Sequence, residues 1–386
     1  MLSTLKRIFA SEKICEYHQT YEQNDYFVEV STSTEIETLK NNWVQLEKNN
    51  PVPFFLTWHW VSCWIKTYLP NVITVSATYE DRVVAIGLFT SSLDIRYGIV
   101  RSRQLRLHQM GNILMDQIWM EYNDFICDGQ HKISAVDACL KVLQHEEFVW
   151  DEIILPMMPR SRAEYISSAT ALADIGLRNP CYAVDLNTIR NANREYLQFL
   201  TSNTRYQIKH SIGLYEKKYG ALKLYKANNI DEALEYFLDA GKYHVKRWSD
   251  SGYKNRQFVQ FHENLIRDSF EDNTINLLKL VAGNETIAVM YYQLVDRKVF
   301  FYLHGLKFDS DKKLKPGLVA HALATEYYIQ QGMDEYDYMG GFSQYKIQLA
   351  QRTEDLITVI LQRPRSQFWL ERIARNIKNR IIPTPS

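Results

Sequence analysis

The sequence is short of cysteine, of net charge and of long apolar runs, and each shortage removes a class of protein. Its five cysteines (Cys15, Cys63, Cys127, Cys139, Cys181) are odd in number, scattered and never in a CxxC pair. Neither a zinc knuckle nor a disulfide framework fits them, which points to a reducing compartment. Lys plus Arg and Asp plus Glu number 45 each, a formal net charge of zero. A neutral chain exerts no global pull on nucleic acid, so only a local basic patch can serve one. No apolar run approaches the roughly 18 to 20 residues of a membrane span. The first ten residues lack the long apolar segment and clean cleavage site of a signal peptide. The cytoplasm is the location these absences imply. There is no GxSxG elbow, HExxH helix or GxxxxGK[ST] loop, which sets aside three common hydrolytic and phosphoryl chemistries. Asp309 and Asp311 stand without the later ligands of a calcium loop, and no metal is expected.

What is present fits a globular chain. At 386 residues it is too long for one ordinary core, which predicts two domains. Aromatics reach 13%, with 25 Tyr and 8 Trp; they suit either an aromatic-rich core or pockets for flat and sugar-like ligands.

The polar stretch 1–25 reads as an N-terminal extension, and Tyr26–Val30 as a strand. Ser33 or Thr34 can cap a helix to Lys48. Thr57 caps an aromatic helix that follows Pro51 and Pro53. Val72–Tyr79 and Arg82–Ser91 make a hairpin around Glu80-Asp81. A helix Ser134–Glu147, a buried strand Glu152–Leu155, a helix Ser161–Gly176 stopped by its glycine and a strand Cys181–Leu186 follow. The order then starts over. Helices are expected at 192–200, 203–219, 230–248 and 257–271, strands at 221–226, 276–282, 286–295 and 298–304. A long helix begins at Pro316, and strands at Glu335–Met339 and Leu356–Leu361 close the series. Two successive sets of helices, β-meander, helix and strand predict an α/β (α+β) fold of tandem duplicated lobes, each a mixed central sheet flanked by helices. The expected divisions are 1–25, a first lobe 26–188, a second lobe 189–363 and a tail 364–386.

The chemistry concentrates in the second half. Phe300–Asp309 forms a strand and loop that lead to Lys315-Pro316-Gly317 and the helix from Leu318. A proline-glycine helix start leaves free N–H groups that attract phosphate or carboxylate, with Lys312, Lys313 and Lys315 beside them. Alternatively Pro316 merely starts the helix and the lysines are solvated. His244, Arg247 and Trp248 stand at i, i+3 and i+4, one helical face, suited to a sugar or anionic acceptor. Tyr302 and His304 alternate with Leu303 on a strand and can face the same cleft.

Several pieces, in order, resemble the acetyltransferase-superfamily (GNAT) proteins related to the cellulose-biosynthesis CelD protein, themselves similar to the FemAB aminoacyl transferases. They are Pro53–Trp60, Tyr122-Asn-Asp-Phe125, Thr204–Ser211, Tyr243–Trp248, Tyr302-Leu-His-Gly305, Lys315-Pro-Gly317 and Asp337-Tyr-Met-Gly340 with Tyr345-Lys346. The resemblance implies an acyltransferase lobe at 189–363 beside a degenerate first lobe. Lys315, Pro316, Gly317 and Leu318 would hold the pyrophosphate of an acyl-CoA (acetyl-CoA) donor. It further implies Asp337, Tyr345 and His244 as catalytic groups. Arg205, Lys209, Arg247, Trp248, Tyr302, His304 and Lys346 would contact substrate. Asp337 can act as base or as a strand-end carboxylate bonded to backbone. Two departures stand out: the segment Arg205–His210 has only three basic residues, and Lys-Pro-Gly replaces the Q/R-x-x-G-x-G/A donor loop. The implied reaction is acyl transfer to a small-molecule or glycan acceptor, in polysaccharide or cell-envelope synthesis. An aminoacyl-tRNA donor of the FemAB kind is one alternative, the only reading with a nucleic-acid partner. A non-catalytic scaffold of a polysaccharide synthesis complex is the other.

Residues 365–382 read as a basic amphipathic helix. It can lie on an anionic membrane, making the protein peripheral at the inner membrane face, or dock on the core.

Overall fold

A computed structural model describes residues 17–371 and 373, apart from 97–99, 146 and 171. The first half runs β1 (His18–Gln23), β2 (Tyr26–Ser31), α1 (Ile36–Asn49), α2 (Trp58–Tyr68), β3 (Ile73–Tyr79), β4 (Arg82–Arg96), β5 (Val100–Leu107) and β6 (Ile126–Cys127). After it come α3 (Ser134–Leu143), β7 (Glu152–Pro159), α4 (Arg160–Ala169), β8 (Ala173–Asp185) and α5 (Leu186–Asn191). The second half continues with α6 (Ser202–Tyr219), β9 (Leu222–Lys226), α7 (Ile230–Arg247), α8 (Arg256–Ser269), β10 (Ile275–Ala282), β11 (Glu285–Val295) and β12 (Lys298–Leu306). It ends with α9 (Pro316–Gln330), β13 (Glu335–Gly340), α10 (Gln344–Leu349) and β14 (Arg352–Gln362).

Local chemistry sets many of these boundaries. Glu80 and Asp81 adopt φ of 46° and 59°, the left-handed pair whose twist matches a two-residue hairpin. Thr57 caps α2 as expected, its side chain accepting from Trp60 N. Asn229 caps α7 by accepting from Glu232 N at 2.9 Å.

One mixed sheet runs through the chain in the order β1-β2-β3-β4-β5-β7-β14-β8-β13-β12-β11-β10-β9, with β6 paired to β4. The β5–β7 and β12–β13 pairs are parallel, and the remaining pairs are antiparallel. β14, the last strand, lies between β7 and β8, while β8 also borders β13. Each half thus lends its final strand to the other, and β8 and β14 are neighbours at the centre. Apart from the edge strand β1, which has no counterpart, β2-β3-β4-β5-β7-β14 read from one side matches β9-β10-β11-β12-β13-β8 read from the other.

Three cores result. Helices α1 and α2 pack with α7 and α8 over one face, so that Trp60 meets Phe261 at 4.8 Å between ring centroids. A second core sits under α3 and α4, and a third under α5, α6 and α9. Many of the aromatic side chains fill these cores: Trp43, Trp60, Trp150 and nine further Tyr and Phe residues lead the fully buried side chains.

The structure departs from the sequence expectations at several points. The expected extension over 1–25 contributes β1, an edge strand exposed on both faces, so it carries no apolar alternation to read. Gly176 does not stop a helix. α4 ends at Ala169, and Gly176 lies within β8, where a Cβ would come within 3.3 Å of Thr358 O. The helix expected at 192–200 is instead α5 followed by a 3-10 turn at Tyr196–Phe199. Asp185, accepting from Thr188 N at 2.8 Å, caps α5 and starts it early. Most of the helix expected at 365–382 lies outside the described residues. Its described beginning docks on the core: Arg365 pairs with Asp151 at 2.8 Å, and Phe368 is buried beneath Arg96.

Candidate functional site

The pairing of β12 with β13 ends at Phe300 and Asp337. Beyond it, β13 bulges against β8 between Asp337 and Gly340, with Met339 at φ 61°. Such a bulge re-aims side chains at the end of a strand. α10 follows directly and brings Tyr345 against His304 of β12, 5.7 Å between ring centroids.

A cavity of about 610 Å³ opens here, lined from β12, α7, α9, α10 and α6. Pro316 occupies the first turn of α9, and no side chain caps that end. The N–H groups of Gly317 and Leu318, both cavity-lining, therefore have no partner within the helix. Lys315 N donates to Ser211 Oγ at 2.9 Å, which fixes the loop that presents them. Arg247, Lys312 and Lys315 add positive charge to the same wall. Asp309 also lines it, accepting from Asp311 N at 2.9 Å and bound at 2.6 Å by both Lys218 Nζ and Tyr219 OH. The Asp311 N–H first, then those two side chains, hold its carboxyl well below the usual range.

The inner wall is aromatic. His304 Nδ1 lies 3.2 Å from His321 Nε2, and Tyr345 stacks on His321 at 4.9 Å and 9°. Burial, then His244 and Lys346, push the His304 imidazole down to about 3. His244 Nδ1 meets Ser251 Oγ at 2.8 Å, and burial lowers its pKa as well.

The opposite face of the sheet holds a second group. Successive residues of a strand point to opposite faces, so Tyr336 and Tyr338 join the α9 core while Asp337 turns the other way. Asp337 Oδ1 accepts from Met339 N at 2.6 Å, and Oδ2 accepts from Tyr122 OH. Lys346 donates to the carbonyls of Met339 and Gly340, and Glu121 accepts from Gly340 N at 2.7 Å. Burial pushes the Glu121 carboxyl up to about 7 and Asp337 up to about 6; it lowers Lys346. Three buried charges therefore clamp the bulge, one of them from the first half of the chain. Glu121, Lys346 and Gly340 also line a second cavity of about 390 Å³.

Of the residues singled out in the sequence, the large cavity gathers His244, Arg247, Trp248, His304, Lys315, Pro316, Gly317, Leu318 and Tyr345. Asp337, Lys346 and Tyr302 are not among its lining residues. Tyr302 is the extra residue of a bulge in β12 opposite Tyr291 and Tyr292, so it and His304 face opposite sides of the sheet. Its hydroxyl donates to Ile118 O and lies 3.0 Å from His262 Nε2, inside the shared core. Arg205 and Lys209 stand two positions from Gln207 and Ser211, about half a turn round α6, and Gln207 is the α6 residue that lines the cavity. The sequence reading missed Glu121, Gln207, Ser211 and His321. A histidine inside the apolar run Leu318–Ala324 was a usable signal for His321, and Gln207 and Ser211 lie within the family-like segment Thr204–Ser211. Glu121 carried none, because only the tertiary fold brings it to the site.

Residues 202–347 match the model of the acetyltransferase (GNAT) domain, which supports an acyltransferase. No curated protein matches the chain. Among solved structures, the chain is similar to FemX, with a TM-score of 0.56 at 8% identity, covering 88% of this chain and 98% of that one. It is also similar to L-PGS from Bacillus licheniformis, with a TM-score of 0.54 at 10% identity over 88% and 96%. A third is the C-terminal domain of a putative lysylphosphatidylglycerol synthetase from Agrobacterium fabrum, at 0.51 and 6% identity over 89% and 96%. At these identities the likeness establishes the fold, over nearly the whole of both chains. Among the described residues no helix is long and apolar enough to cross a membrane, and no cluster of metal-ligating side chains occurs.

Proposed function

We propose that the chain transfers an acyl group from an acyl-CoA donor, bound in the 610 Å³ cavity, to a polar acceptor. The carrying observation is the open start of α9: two N–H groups without intrahelical partners, aligned with the helix dipole and flanked by Arg247, Lys312 and Lys315. That combination binds a pyrophosphate through backbone donors and charge together. The volume lies within the range of small-molecule sites. His304 and Tyr345 stand inward of the phosphate-binding wall, where the acyl group would be presented. Trp248 and Phe308, half-exposed at the rim around Arg247, suit a sugar or glycan-linked acceptor, the class implied by the resemblance to cellulose-biosynthesis proteins. Polysaccharide or envelope synthesis is the corresponding setting.

The second reading is an aminoacyl-tRNA donor. Tyr206 and His210 stack at 5.5 Å on the exposed face of α6, near Arg205 and Lys209; an exposed aromatic and basic face of this kind can meet a nucleic-acid backbone.

Calorimetric titration with acetyl-CoA, free CoA and charged tRNA separates the two. Saturable binding of acetyl-CoA and CoA is expected, weakened about tenfold by either Lys315→Ala or Arg247→Ala, as loss of one charge-assisted contact implies. Saturation by charged tRNA alone would transfer the site to the second reading. Binding of none would overturn both and leave a scaffold.

A further inference from the structure

A line of hydrogen bonds runs from the cavity wall into the third core, and its far end determines its direction. Tyr292 OH, fully buried, lies 3.1 Å from Met290 Sδ and 3.0 Å from Tyr336 OH. A thioether sulfur can only accept, so Tyr292 donates to the sulfur and its oxygen accepts from Tyr336 OH. The Tyr336 oxygen is then free to accept from His321 Nδ1–H, at 2.8 Å. With Nδ1 carrying the hydrogen, neutral His321 presents a bare Nε2, which accepts from His304 Nδ1–H at 3.2 Å. His304 is left with an unprotonated Nε2, on the nitrogen not engaged in the chain, in a ring that lines the cavity. Each step follows from the one before, because an un-ionised imidazole carries one N–H.

We infer that His304 is the proton acceptor of the transfer reaction, held in its Nδ1–H tautomer by the chain His321–Tyr336–Tyr292–Met290. The inference rests on the acyl-transfer reading above. The acceptor's nitrogen or oxygen forms its bond to the acyl carbon and gives its proton to His304 Nε2. The carbon–sulfur bond breaks, and the same proton passes to the leaving thiolate, so the imidazole ends as it began. During the step the His304 imidazolium keeps its Nδ1–H bond to His321. The groups around His304 are His244 from α7, His321 from α9 and Tyr345 from α10, with the Lys346 ammonium acting on it through space. None is a carboxylate, so none fixes the ring by ion pairing, and burial with His244 and Lys346 nearby holds the resting imidazole down to about 3. The ring therefore carries the proton only transiently, while the acyl bond forms, before it passes to the thiolate. His321, Tyr336 and Tyr292 are positioning residues; His304 alone would touch substrate.

Histidine-labelled full-length protein and long-range proton–nitrogen NMR test the chain without any donor. His304, identified by the signal lost in His304→Gln, should carry its hydrogen on Nδ1. Tyr292→Phe deprives Tyr336 of its acceptor, so Tyr336 turns to donate to His321 Nδ1. That reverses every bond, and His304 should shift to the Nε2–H form. Turnover should fall about 100-fold or more in His304→Gln, in the range of a general base, and about tenfold in Tyr292→Phe, with KM and donor affinity retained in both. An Nε2–H form in the native protein overturns the inference, as does unchanged kcat in His304→Gln that still binds donor. If Tyr292→Phe does not fold, the native tautomer still decides. Failure of the donor reading would appear separately, as absent CoA binding with the His304 tautomer unaffected.

Discussion

Lys346→Met should lower the unfolding free energy at neutral pH by about 3–5 kcal/mol, the usual cost of removing one partner from a buried ionic group. Methionine keeps most of the volume but not the charge. Glu121 and Asp337 would remain buried at 7% and 3% exposure, and the carbonyls of Met339 and Gly340 would lose their ammonium donor. The deficit should depend on pH. Burial raises Glu121 to about 7 and Asp337 to about 6, so the folded state holds these protons more tightly than the unfolded chain. A raised carboxyl contributes its stability below the unfolded value and loses it as pH climbs through the folded one. In the native protein stability should therefore fall between roughly pH 4 and 7, with a slope of at most about 1.4 kcal/mol per pH unit for each group. Glu121→Gln should flatten that fall. Without Lys346 both carboxyls rise further, so Lys346→Met should unfold at a much lower urea concentration at pH 8 but approach the native midpoint near pH 5. Equal deficits at both pH values would mean that the lysine contributes packing alone.

The same cluster shows where sequence reading reaches its limit. The Glu80-Asp81 hairpin, the Thr57 cap and the Pro316 start were legible because each depends on a few adjacent residues with distinctive backbone chemistry. The uncapped start of α9, whose first N–H groups have no intrahelical partner, was legible for that reason too. Lys346 and Asp337 stand nine residues apart, and their grouping depended on the resemblance. Their partner Glu121 lies more than 200 positions away, on a segment whose local pattern gives no hint of it. The exchange of β8 and β14 between halves is equally non-local, since alternation within a strand says nothing about its neighbour. Tyr302 and His304 illustrate a subtler loss. Period-two alternation assigns them to one face, yet a single-residue bulge opposite Tyr291 and Tyr292 separates them, and sequence carries no sign of it. Asp337 was an attractive base on chemical type and on the resemblance. Its two oxygens are engaged by Tyr122 and Met339 N, and the strand's alternation turns it to the face opposite the His304–His321 pair.

Gly305→Ala should be the most damaging small change near the large cavity. Gly305 lies on β12 where α7 crosses it, and a Cβ there would stand 2.2 Å from Ala240 O and 2.5 Å from Ala240 Cα. Those neighbours are helix backbone, so no side-chain rotation relieves the contact. α7 must lift from the strand, or β12 must shift against β11. Overpacking of this kind costs about 1–3 kcal/mol and at times more. The displacement also has a direction that matters for function. α7 carries His244, Arg247 and Trp248 in and just beyond its last turn, while His304 precedes Gly305 on β12. Moving the helix away widens the cavity between them. Donor affinity should therefore fall at least tenfold in the fraction that still folds, alongside a reduced unfolding temperature. Gly213→Ala gives the control. A Cβ at that position of α6 meets nothing within 4 Å, and alanine in a helix interior is worth up to about 1 kcal/mol over glycine. Gly213→Ala should be slightly stabilised with unchanged donor affinity. If Gly305→Ala bound donor as well as Gly213→Ala does, the seat of α7 against β12 would not be what holds the cavity at its working width.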